Sequence, residues 1–118
     1  MKLDQDLYCY KISKIVKVID GDTIDAMVDL GFDIHIKCRI RLLGINAPES
    51  RTKDKEEKKR GLLAKARLKE LCKGNVLLQS HGKEKYGRIL GVLFSAGVSL
   101  NNIMVAEGHA KEYYGGKR

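Results

Sequence analysis

No apolar run in this chain exceeds a few residues, far short of the roughly 20 that a membrane-spanning helix needs. The N-terminal MKLDQDLYCYK sets acidic residues where a secretory leader has basic and then apolar ones. The expectation is a cytoplasmic or otherwise unexported chain with no membrane partner. Cysteine is also scarce. Cys9, Cys38 and Cys72 are odd in number and lack C-x-x-C spacing, and only three histidines accompany them. That argues against a disulfide framework or a zinc site, and for reduced thiols without chemistry of their own. There are no internal repeats and no linker. At 118 residues the chain is expected to form one domain, 1–118, with a single core. Nothing implies a protein partner, and a monomer is expected.

Positive charge is what the chain has in excess. The formal net charge is +8, unevenly spread. Residues 1–36 carry 4 basic and 7 acidic side chains, residues 37–73 carry 13 and 5, and residues 74–118 carry 6 and 3. A run such as KDKEEKKR reads as a solvated helix face. The local excess around it is nevertheless the electrostatic footprint of a protein that meets a polyanion, and nucleic acid is the commonest one.

Hydrophobic periodicity gives the elements. From Tyr8 to Met27 the sequence alternates, broken at Asp20-Gly21-Asp22, where Asp-Gly between alternating runs signals a hairpin. Leu30-Gly31-Phe32-Asp33 is a second turn. After it Ile34, Ile36, Cys38, Ile40 and Leu42 share one face of a third strand, with His35, Lys37, Arg39 and Arg41 on the other. Asn46 to about Lys55 reads as a loop. Helix formers run from Asp54 to Lys73, with Gly61, Ala64, Leu68, Leu71 and Cys72 as an apolar stripe, Leu62 and Leu63 off it, and Gly74 placed to end the helix. NVLLQS is a short fourth strand, HGKEKYGR a loop and ILGVLFSAG a bent fifth strand. Ser99 caps a short helix that Gly108 closes. His109 to Tyr114 is expected to be extended and the terminal GGKR frayed. The fold class is therefore mainly β with α (α+β). Five strands, a long helix between the third and fourth, and a short helix after the fifth are the order of an OB-fold, a small Greek-key barrel that commonly binds nucleic acid.

Chemistry concentrates in two stretches, VIDGDT at 18–23 and RLLGINAPE at 41–49. Asp20 and Asp22 leave a strand at a glycine turn. Arg41 sits on the polar face of the third strand, and Asn46 and Glu49 follow in the adjoining loop. Phosphodiester hydrolysis needs a water, a base for its proton, a cation on a non-bridging oxygen and positive charge where negative charge develops. Carboxylate and amide oxygens suit a hard cation such as Ca²⁺. Arginine forks suit phosphate, which makes Arg41 a candidate and Arg88 a second.

These residues carry a resemblance to the staphylococcal nuclease (thermonuclease) family. VIDGDTI at 18–24, IRLLGINAPES at 40–50, the helix after it, KYGR at 85–88 and LNNIMVAEGHAK at 100–111 stand in family order. The resemblance implies that Asp22 is a Ca²⁺ ligand supported by Asp20, and that Glu49 is the general base acting on the attacking water. It implies that Arg41 and Arg88 hold the scissile phosphate, with Arg88 near the leaving 5′ oxygen. Lys85 and Tyr86 would contact a neighbouring phosphate, and Tyr113 or Tyr114 would lie beside the base. The implied reaction is cleavage of DNA and RNA at the P–O5′ bond, leaving 3′-phosphates, with little sequence preference. Another hard divalent cation could replace Ca²⁺.

Two departures stand out. Asn46 and Ala47 occupy positions where the family pattern has a metal-ligating aspartate and a threonine. The Asn46 carbonyl and the Ala47 backbone oxygen could still ligate, so weaker metal binding or a changed metal preference is expected. The chain also stops soon after Tyr114, without the family's final long helix, and core cover is expected to come from elsewhere or to be dispensed with. The alternative to an active nuclease is a non-catalytic OB-fold module that binds nucleic acid, its catalysis weakened by Asn46.

Overall fold

The structure is a computed structural model that describes residues 8–114. The expected fraying of GGKR lies outside them. Among the described residues eight strands and two helices occur in the order β1 (Tyr8–Asp20), β2 (Thr23–Asp29), β3 (His35–Leu42), β4 (Ile45–Asn46), α1 (Lys55–Leu71), β5 (Val76–Lys83), β6 (Ile89–Ser95), β7 (Val98–Ser99), α2 (Leu100–Ala106) and β8 (Lys111–Glu112). The larger sheet has the order β3-β2-β1-β5-β6-β7, and a parallel pairing of Ile40–Leu42 with Ile89–Gly91 closes its five main strands into a barrel. This is the OB-fold expected from the element order. The thirteen residues of β1 serve both halves of the barrel. Tyr8–Ile12 pair with β5, and Lys11–Asp20 pair with β2 through three register shifts that coil the strand.

One core fills the barrel and its helical cover. Ile24, Ile40, Leu42, Leu78 and Leu93 from the strands meet Ala64 and Leu68 of α1 and Leu100 and Met104 of α2. α1 begins at Asp54, whose carboxylate accepts from the backbone N–H groups of Glu56 and Glu57, and it ends at Cys72. Gly61, Ala64 and Leu68 are its buried stripe, while Leu62 and Leu63 stay exposed. The Arg67 guanidinium forks onto both oxygens of Glu107 at 2.6 and 2.8 Å, tying α1 to the end of α2. Burial pushes the Cys72 thiol up to about 11 and raises that of Cys38, so neither is a ready thiolate near neutral pH.

Two sequence expectations are corrected, and the shared face of the third strand is only partly buried. Ile34 and Ile36 do not reach the core; they are 55% and 47% exposed. The reason is topological: β6 pairs only with Ile40–Leu42, so the outer half of β3 runs past the barrel beside β2 alone. The fourth strand extends through Lys83, so part of the expected HGKEKYGR loop is strand. The stretch after β6 is a hairpin into β7, with Ala96 and Gly97 both at positive φ (51° and 78°), rather than a bend within one strand. The short strands β4 and β8, whose two residues each give no periodic signal, pair with each other.

Candidate active site

The end of β3 and the chain on either side of β4 bring the candidate residues together. Thr23 pairs with Arg41 across β2 and β3, and the Leu42 N–H donates to the Asp22 carbonyl at 2.8 Å. Arg41 therefore stands over the Gly21-Asp22 turn. Its Nη1 donates to the Leu42 carbonyl at 2.8 Å, while Nη2 lies 3.4 Å from Asn46 Oδ1 and 3.6 Å from Asp22 Oδ2. One guanidinium nitrogen thus faces both expected side-chain metal donors. Asp22 is only 5% exposed; its Oδ1 accepts from the Thr23 hydroxyl at 2.9 Å and its Oδ2 from the Ala47 N–H at 2.8 Å. Pairing and hydrogen bonding of this kind offset the cost of burying a carboxylate.

Asp20 holds the loop rather than the arginine. Its Oδ1 accepts from the Ser50 N–H at 3.0 Å and the Ser50 hydroxyl at 2.6 Å, and that hydroxyl also reaches the Ile19 carbonyl. From the other side α1 presses on the same loop through Gly61, where a Cβ would stand 2.3 Å from the Glu49 carbonyl oxygen. Glu49 itself is exposed, and its backbone N–H donates to Glu57 Oε2 at 3.1 Å.

Arg41 and Arg88 line one cleft of about 550 Å³ together with Glu84, Leu90, Tyr113 and Tyr114. Arg88 is held from β6's entry by an Nε contact to Glu84, the partner four residues earlier. The two tyrosines arrive there because β8 pairs with β4 and the Tyr113 N–H then donates to the Gly44 carbonyl at 2.8 Å. Tyr113 is half-buried and Tyr114 is 84% exposed. Glu49 is not among the residues lining this cleft, nor are Lys85 and Tyr86, which sit exposed at the β5–β6 turn with the Lys85 ammonium 5.7 Å from the Tyr86 ring centre. Asn46 and Ala47 line an adjoining pocket of about 270 Å³ with Arg60 and His109.

Among the described residues no three His, Cys, Asp or Glu side chains gather as a metal-binding set. What converges is one carboxylate, Asp22, and one amide oxygen, Asn46. Two hard oxygen donors fit a hard cation, held with less charge than two carboxylates would provide.

A family model described as staphylococcal nuclease homologue matches residues 39–118. The chain belongs to that family. An "Uncharacterized endonuclease" of Escherichia coli is 33% identical over 102 residues, covering 85% of this chain and 60% of that protein. A "Micrococcal nuclease" of Shigella flexneri is 35% identical over 114 residues, covering 86% and 59%. An "Uncharacterized endonuclease" of Haemophilus influenzae is 32% identical over 101 residues, covering 85% and 51%. The chain thus spans about three fifths or less of the length of each of these relatives.

Within this staphylococcal nuclease homologue, three residues that sequence reasoning passed over support the site. Buried Asn101 donates from Nδ2 to the Leu43 and Gly91 carbonyls and accepts from the Leu93 N–H, fixing the segment that displays Arg41. Ser50 links the Glu49 loop to Asp20. Glu84 pairs with Arg88, and its only sequence signal is the Glu-x-x-x-Arg spacing inside KEKYGR.

Proposed function

We propose that this staphylococcal nuclease homologue is a metal-dependent nuclease that hydrolyses phosphodiester bonds of DNA and RNA with little sequence specificity and leaves 3′-phosphates. The observation that carries the reading is the shared wall of Arg41 and Arg88 in a cleft rimmed by two tyrosines. Two guanidinium groups on one cavity match a phosphate whose negative charge grows in the transition state. The endonuclease and nuclease names of the relatives point the same way.

In this reading Arg41 orients the scissile phosphate. The Nε of Arg88 is taken by Glu84, which leaves its terminal nitrogens to stabilise the departing 5′ oxygen. Glu49, exposed at the end of the pinned loop, takes a proton from water as the water oxygen bonds to phosphorus. The P–O5′ bond then breaks, the 5′ oxygen gains a proton, and the phosphate stays on the 3′ side. Tyr114, the more exposed of the two tyrosines, stacks on a base, and Lys85 and Tyr86 meet a neighbouring phosphate. Asp22, Asn46 and the Ala47 carbonyl would hold Ca²⁺ or a similar hard cation, with Asp20 supporting from behind. When bound, the cation neutralises charge on a non-bridging oxygen.

Asn46 favours one other reading, a binding module of the same fold without turnover. A single assay separates the two: single-stranded DNA is incubated with Ca²⁺, Mg²⁺, Mn²⁺ or EDTA, with Glu49→Gln purified in parallel. Cleavage that needs an ion and falls by orders of magnitude in the variant is the expected result. A folded protein that binds the strand but fails to cut it with any of the ions would establish the binding module instead.

A further inference from the structure

Away from the arginine cleft, the C-terminal half of α1 and the middle of β1 enclose a groove of about 410 Å³. Lys17 of β1 and Lys65, Lys69 and Lys73 on the α1 side line it, over a floor of Ile15, Val18 and Cys72. No carboxylate is among the lining residues. Asp25, opposite Lys17 in the strand register, is hydrogen-bonded to Arg39, and Glu70, next to Lys69 in sequence, is paired with Arg67. Among the described residues none of these four lysines forms an ion pair. Lys17 also acts on Asp25 through space, which leaves Lys65, Lys69 and Lys73 as three ammonium groups that focus a positive potential into the concavity over its apolar floor.

We propose that this groove is a second subsite for the phosphate backbone, holding the part of a nucleic-acid strand that extends beyond the cleft. The proposal rests on the nuclease reading above for its choice of polyanion. The path is set by α1. Its first turn carries Glu57, which holds the Glu49 backbone, and Lys65 and Lys69 follow at ~12 and ~18 Å along the same helix. A strand that runs on along α1 from the pocket shared by Asn46 and Glu57 reaches the groove several nucleotides later. Lysine heads on flexible stems contact phosphate without reading bases, so the subsite adds affinity for length and none for sequence.

The test replaces Lys65, Lys69 and Lys73 together by Gln, and separately by Arg, in the full chain. Binding of fluorescent single-stranded DNA of about 30 nucleotides and of about 4 nucleotides is read by anisotropy in EDTA across a salt series. The Gln variant is expected to bind the long strand at least about tenfold more weakly at low salt, with its log–log salt slope shallower by about 2, since each phosphate contact contributes ~0.7. The short strand should bind unchanged, and the Arg variant should restore long-strand binding. An unchanged salt slope, or an equal loss on both lengths, would overturn the proposal. Because binding is read without turnover, a failure to cleave would sink the nuclease reading alone and leave this measurement standing.

Discussion

At position 46 an amide shares one Arg41 guanidinium nitrogen with the Asp22 carboxylate, at 3.4 and 3.6 Å. Asp22 already balances the guanidinium, so a second carboxylate here would be surplus negative charge available to a cation. At an effective dielectric of about 20, a unit charge pair at contact distance is worth roughly 4 kcal/mol, of which the amide dipole recovers part. Asn46→Asp is therefore expected to tighten Ca²⁺ binding by about 10- to 100-fold in a calorimetric titration, corresponding to ~1.4–2.8 kcal/mol. Without metal the new carboxylate shares one guanidinium with Asp22 and adds like-charge repulsion beside it, so the metal-free variant is expected to lose stability that Ca²⁺ restores. Unchanged metal affinity would remove position 46 from the ligand set. The pairing of Arg41 with both donors was only partly legible in the sequence. Its face of β3 followed from alternation, but its distance to Asp22 depends on the β2–β3 register, which periodicity alone does not fix.

At the scale of elements, the contact between α1 and the Glu49 loop shows how a correct helix assignment can miss the reason for one of its residues. Gly61 reads as one more small residue on an apolar stripe. In the fold, an added Cβ there would meet Glu49 O at 2.3 Å, Glu49 C at 2.5 Å and Ser50 N at 2.7 Å, all of them backbone. Alanine is favoured over glycine inside a helix by about 1 kcal/mol, but backbone atoms cannot swing aside as a side chain can. The clash wins. Gly61→Ala is expected to destabilise the protein by about 1–3 kcal/mol in urea denaturation, and to lower cleavage further by shifting the loop that carries Glu49. Stabilisation by about 1 kcal/mol would instead show that the loop yields freely. Helix and strand identities were legible because burial imposes a period. The exposure of Ile34 and Ile36, the Ala96-Gly97 hairpin and the β4–β8 pairing were not, since each depends on which distant segment lies alongside.

Across the whole molecule, positive charge sets the terms on which stability depends on pH. Asp25 is ringed by Arg39, Lys37 and Lys17, and the Arg39 hydrogen bond, with those charges, holds its carboxyl below the usual value despite some desolvation. Glu107 is lowered in the same sense by Arg67. A carboxyl with a depressed folded-state pKa contributes stability that is present above its unfolded pKa and is lost as pH falls through the folded one. For Asp25 the loss begins within the ordinary carboxylate range and is complete below it. Its side chain is only 14% exposed, but Arg39 is 51% exposed, so solvent screens the pair and about 1 kcal/mol or less is at stake. Asp25→Asn is expected to lower the thermal midpoint at pH 7, because it removes a partner and leaves three cations adjacent in a chain of net charge +8. Thermal melts of both proteins, followed by circular dichroism from pH 7 to pH 2, should show the gap between them closing as Asp25 itself becomes protonated. High salt at pH 7 should narrow the same gap, since it screens the exposed arginine. A gap that persists unchanged into acid would mean that Asp25 stabilises the β2–β3 hairpin by packing, and that its charge has no net effect on the fold.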